Sequence, residues 1–169
     1  GRYGDDLTAY ILLANLLTRR IHNRYREAKE AALGDRAREP KPLVITIEEA
    51  HKFLSPQVAS QTTFGTIARE MRKYDVTLLV VDQRPSGIDE EVMSQLGTKF
   101  TCLLENDRDI DAVLAGAGGR AYLRQVLASL SNRQQALIFG HAVPMPIAIE
   151  VREYGSAESY QTLGITEDI

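Results

Sequence analysis

The chain has 169 residues, 44% of them hydrophobic and 25% charged, which suits one globular domain with a sizeable core and excludes wholesale disorder. Its net charge of −3 excludes nucleic-acid binding by bulk charge, although a local basic groove or the channel of an oligomer would not show in that count. The single Cys102 cannot form an internal disulfide and lies in an apolar run, so it reads as core in a reducing, cytoplasmic protein.

Asp5 or Asp6 can cap a helix from about Leu7 to Ala32, with Leu7, Ile11, Ala14, Leu17 and Ile21 on one face. Ile11 to Leu17 falls well short of the ~20 apolar residues a bilayer span needs. The basic second half, Arg19 to Lys29, reads as a solvated face, with DNA or a neighbouring subunit as the less favoured partner. Gly34 to Lys41 is a charged linker ending in proline.

Leu43 to Ile47 is then an unbroken apolar run entered through Pro40 and Pro42, the pattern of a central parallel strand covered on both faces. It stops at Glu48 and Glu49. Ligands of open α/β sheets bind at the carboxyl edge, and two neighbouring carboxylates there suit nucleoside triphosphate hydrolysis. One can hold a magnesium ion through its waters and the other can orient the attacking water, a Walker B reading with Glu48 toward the metal and Glu49 toward the water. The plainer alternative is a solvated helix start, where Glu-Glu favours the positive end of the dipole.

A short helical turn through His51 and Leu54 ends at Ser55-Pro56, and a polar loop runs to Thr63. Phe64, Ile67, Ala68, Met71 and Tyr74 mark a helix from Thr63 to Tyr74, with Arg69 and Arg72 on its other flank. Val76 to Val81 is a second buried strand, ending in Asp82-Gln83-Arg84-Pro85-Ser86. A helix over Asp89 to Leu96, a third strand over Lys99 to Leu104 and a helix capped by Asn106 or Asp107 follow. Three strand-then-helix units in a row predict right-handed crossovers and one parallel sheet. Gly116 to Gly119 follows no strand and precedes no Lys-Ser or Lys-Thr, so it reads as a helix-to-helix turn and not a phosphate loop. After a helix over Arg120 to Leu130, Gln135 to Phe139 and Ile147 to Val151 form a hairpin-like end, and residues 155–169 form a polar, acidic tail.

Five stretches, LVITIEEAHKFL from Leu43, IAREMRKY from Ile67, LLVVDQRPS from Leu78, SQLGT from Ser94 and ALIFGHAVPMP from Ala136, occur in the order seen in HerA-type ATPases of the HerA/FtsK superfamily. The resemblance covers roughly Pro42 to Tyr154 and implies the C-terminal portion of a RecA-like P-loop NTPase core over residues 1–154. The fold class it implies is α/β and three-layered, with a mostly parallel sheet and a C-terminal β-hairpin. It further implies a hexameric ring that translocates double-stranded DNA, consumes ATP with Mg2+, and in many cases works with a NurA-like nuclease. By position, Glu48 resembles the metal-side carboxylate, Glu49 the general base and Gln83 the sensor of the γ-phosphate, with Arg84 beside it among the nucleotide-binding positions. Arg72, with Arg69 as second choice, resembles the arginine supplied to the neighbouring subunit's nucleotide.

There are two departures. Many members carry Asp where this chain has Glu48, and no Gly-x-x-x-x-Gly-Lys-Ser/Thr loop is present. The missing loop, with no initiating Met, suggests a C-terminal fragment that by itself binds nucleotide poorly. Two rivals stand beside this reading: a catalytically idle assembly module on the same sheet, and a di-iron site using Glu48-x-x-His51, which would need a second copy of that motif.

Overall fold

A computed structural model describes residues 7–59, 70–131, 134–152 and 155–162, with the side chains of Leu7, Arg36, Met71, Arg72 and Ala157 left undescribed. The chain divides into two compact units, the first ending at Leu96 and the second beginning at Gly97.

In the first unit α1 spans Leu7–Ala31. Its more buried positions include Ile11, Ala14, Thr18, Ile21 and Tyr25, while Leu17, expected on that face, is exposed, as are Leu12, Leu13 and Leu16. Thr18 fits the buried face because its hydroxyl donates back to the Ala14 and Asn15 carbonyls, at 2.7 and 3.1 Å. At the helix end Lys29 pairs with Asp75 at 2.5 Å and Glu39 at 3.4 Å, tying α1 to the residue that leads into the second strand.

Strands β1 (Leu43–Glu48) and β2 (Val76–Val81) pair in parallel from Leu43↔Val76 to Glu48↔Val81. Because the register is even, both strands end at the same edge. Their burial alternates. Leu43, Ile45, Ile47, Val76, Leu78 and Val80 face inward, and Val44, Thr46, Leu79 and Val81 are exposed on the other face. Coverage of both faces, expected from the apolar runs, is therefore not what this chain shows: run length reports apolarity, not how many layers pack on it.

Beyond β1, α2 (His51–Leu54) ends at extended Ser55, as the Ser-Pro pair predicts, and seats Leu54 with no exposure. The expected loop begins instead as a helical turn, α3 (Pro56–Ala59), because proline is well suited to a first helical position. The Thr63–Tyr74 helix lies mostly outside the described residues; its end, Met71–Tyr74, is a 3-10 turn. Another 3-10 turn, Pro85–Gly87, leads into α4 (Glu90–Gln95), where the Asp89 side chain accepts from the Glu91 and Val92 amides.

The second unit holds β3 (Thr98–Thr101), α5 (Asp107–Val113), α6 (Arg120–Ser129), β4 (Gln135–Gly140), β5 (Ile147–Glu150) and α7 (Ala157–Thr162). Asn106 caps α5 by accepting from the Arg108 amide, and Gly116 and Gly119 turn the chain with positive φ between α5 and α6. The β3-β4-β5 sheet is antiparallel. The hairpin is as expected, but the third strand is not part of the parallel sheet. Thr98–Thr101 pairs with β4 instead, and there Phe100 is 70% exposed while Thr101 is buried. Cys102 lies just past its end and is exposed, which corrects its reading as core. Ala157–Thr162 is helical where a tail was expected, with Ser156 and Ser159 bonding each other's amides at its start.

Burial pulls the Lys99 ammonium below its ordinary value, with Arg120 adding to the effect, yet Lys99 donates to the Val113 and Ala115 carbonyls at 2.8 and 3.1 Å. It thereby satisfies orphan carbonyls at the end of α5 from the strand beside it. Next to Lys99 in the β3–β4 ladder, Gly140 pairs with Thr98 and has φ of 114°, and a Cβ there would lie 2.1 Å from the Gly97 carbonyl oxygen. Gly140→Ala is expected to destabilise the protein by at least about 2 kcal/mol, since backbone must move on both strands. Urea unfolding checks this.

Candidate active site

The shared carboxyl edge of β1 and β2 brings four side chains together: Glu49, His51, Asp82 and Gln83. Glu48 still belongs to the strand and falls on its exposed face. At Glu49 the backbone turns into the left-handed region, φ 51°, a conformation that costs a non-glycine residue on the order of 1–2 kcal/mol. That twist breaks the alternation. It sends Glu49 toward the loop after β2, where Gln83 Nε2 donates to Glu49 Oε1 at 3.1 Å.

Asp82 holds the two loops in place. Its side chain is 3% exposed, and Oδ2 accepts from the His51 amide at 2.6 Å and lies 2.9 Å from His51 Nδ1. Oδ1 accepts from the Arg84 amide at 2.6 Å, closing the turn through Gln83. Burial alone would raise the Asp82 pKa. The Arg84 and His51 amides and the His51 ring outweigh it, so the carboxyl is held below its ordinary 3.8. On the far side of the imidazole, His51 Nε2 stands 3.9 Å from Glu49 Oε2.

Of the residues singled out from sequence, Glu49 and Gln83 meet directly. Glu48 sits at the same edge without touching them, and Arg84 contributes its backbone while the residue is exposed. Arg72 lies in the 3-10 turn before β2 but its side chain is not described, and Arg69 lies outside the described residues. The di-iron alternative finds His51 bound to Asp82 and facing Glu49, not Glu48. Among the described residues no group of three or more His, Cys, Asp or Glu side chains is arranged to hold a metal. Asp82 has no assigned role in the sequence reading; the sequence shows an acid just past the end of an apolar run, and only the level ends of β1 and β2 bring it to His51.

No family model matches the chain. It is 36% identical over 117 residues to the DNA double-strand break repair helicase HerA of Pyrococcus furiosus, covering 67% of this chain and 21% of that protein. The HerA helicase of Sulfolobus acidocaldarius is 33% identical over 130 residues, 75% of this chain and 26% of that one. The chain belongs to the HerA-type ATPases of the HerA/FtsK superfamily. Its segment spans about a fifth to a quarter of the length of these HerA relatives. Among solved structures, B204, the DNA-packaging ATPase from Sulfolobus turreted icosahedral virus, shares 13% identity with a TM-score of 0.61 over 90% of this chain and 65% of that one. The virus 2 enzyme with ATP-gammaS has a TM-score of 0.51 at 13% identity, over 65% of this chain and 52% of that one. That likeness shows the fold: this HerA-type chain is α/β with the architecture of a P-loop NTPase. No described helix of it is long and apolar enough to cross a membrane.

The lowered Asp82 pKa sets a pH dependence. Stability from this group is fully present above 3.8 and is lost as pH falls through the lower, folded value, because the unfolded chain then binds the proton first. Denaturant unfolding from about pH 5 to about pH 2 should show Asp82→Asn less stable than the parent at the upper end, with a smaller loss on acidification.

Proposed function

We propose that this chain is the C-terminal part of the ATPase core, residues 1–154, of an ATP-driven double-stranded DNA translocase that works as a hexameric ring. Support comes from the helicase relatives and from one observation above the rest, the 3.1 Å Glu49–Gln83 hydrogen bond at the joint edge of two parallel strands. In this reading Glu49 accepts the proton of the attacking water while Gln83, held to it, registers the γ-phosphate. Glu48 is exposed at the same edge and is a donor of the type magnesium takes through its water shell, so it would hold that ion. When bound, the ion neutralises charge on the phosphates. Arg84 lies near enough in sequence to join the nucleotide contacts, and Arg72, or Arg69, would reach a neighbour's nucleotide. Double-stranded DNA would pass through the ring, and a NurA-like nuclease is the partner this reading favours.

In the full-length protein Glu49→Gln should keep ATP binding and reduce hydrolysis by about a hundredfold or more, since the amide preserves shape but accepts no proton. Turnover within a few-fold of the parent would remove Glu49 from the role of base. The ring has its own measurement. Arg72→Ala and Glu49→Gln subunits should each be inactive alone, and mixed rings with demonstrated subunit exchange should recover hydrolysis, because an arginine acting in trans can be worth about a thousandfold. No recovery would place the arginine's action within its own subunit or in assembly.

A further inference from the structure

His51 is held more firmly than a turn residue requires. Its amide and its ring Nδ1 both reach the Asp82 carboxylate. Asp82, its side chain nearly fully buried and its pKa lowered, is an acceptor only, so Nδ1 must be the donor and carries the ring hydrogen. In the neutral imidazole this leaves Nε2 with a lone pair. The 3-10 turn closes in from another side: a Cβ on Gly87 would lie 3.0 Å from His51 Cβ, so glycine there lets the backbone approach the histidine closely. The ring is thus fixed in tautomer and direction, and its side chain is 22% exposed.

Nε2 and Glu49 Oε2 are 3.9 Å apart, too far for a direct hydrogen bond and the right span for one water to donate a hydrogen to each. We propose that His51 is a catalytic residue of this site, the second acceptor of the attacking water. One O–H of that water points to Glu49 Oε2 and the other to His51 Nε2, which turns an oxygen lone pair away from both, toward the phosphorus. Glu49 takes the proton as the O–P bond forms, and the bond to the leaving diphosphate oxygen breaks with its electron pair. The other hydrogen stays on the new phosphate oxygen, held at Nε2. Gln83 holds the opposite oxygen of Glu49, so the carboxylate is gripped on one side and loaded on the other. The assignment rests on Glu49 as the base and extends it: two acceptors orient the water where one would leave it free to rotate.

Three substitutions in the full-length protein separate this role from simple bracing of the turn. His51→Asn puts an amide nitrogen where Nδ1 stands, keeping the Asp82 contact and leaving nothing at Nε2. His51→Gln puts an amide oxygen near Nε2 and gives up the Asp82 contact. His51→Leu has neither. Water orientation predicts that kcat falls about a hundredfold in the Asn and Leu variants with KM for ATP unchanged within about threefold, and that Gln recovers part of the loss. Bracing predicts the reverse order, Asn near the parent and Gln as slow as Leu, and that result overturns the proposal. Three parent-like or three equally slow variants overturn it as well. Glu49→Gln, measured alongside, keeps the two claims apart: if it still turns over, the base assignment itself has failed, whereas an inactive Glu49→Gln with Asn faster than Gln removes only His51.

Discussion

The site depends on one buried carboxylate. Asp82 directly follows β2, and its two oxygens take backbone amides from the turns after both strands, His51 on one side and Arg84 on the other. Burying a charge is costly, and this one is compensated by short charge-assisted bonds from donors that would otherwise lack partners. The parallel register puts the strand ends level, and Asp82 converts that proximity into a fixed geometry between the loops. The Glu49–Gln83 hydrogen bond is exposed and would be worth little if either loop could move.

Against this fixed frame the strain at Glu49 becomes tolerable. A left-handed glutamate followed by fully buried Ala50 and, one turn on, fully buried Leu54 is a residue twisted by anchors on its C-terminal side and by strand pairing on its N-terminal side. Such outliers persist only where the surroundings over-determine them. The chemical consequence is that Glu48 and Glu49, adjacent in sequence, face different surroundings. One lies on the open strand face, and the other lies between an amide and an imidazole.

The second unit follows different rules from the first. Its sheet is antiparallel, its glycine at 140 permits a backbone approach no other residue would, and its buried Lys99 serves as a helix cap supplied from a strand. Sequence similarity to HerA helicases and fold similarity to packaging ATPases both extend over most of the chain.

From the sequence alone came the two strands with polar ends, the cap at Asn106 or Asp107, the glycine turn at 116–119 and the C-terminal hairpin, because each rests on local chemistry: periodicity, a capping oxygen, a missing Cβ. The five ordered stretches also carried the family. Partnership across the chain was decided only by tertiary structure. Nothing local distinguishes a strand that joins a parallel neighbour from one that pairs with a hairpin, so Thr98–Thr101 and the exposed Cys102 were read into the wrong surroundings. Likewise Asp82 and His51 are 31 positions apart, and their contact exists because two parallel strands end level, a long-range fact that no window of sequence contains.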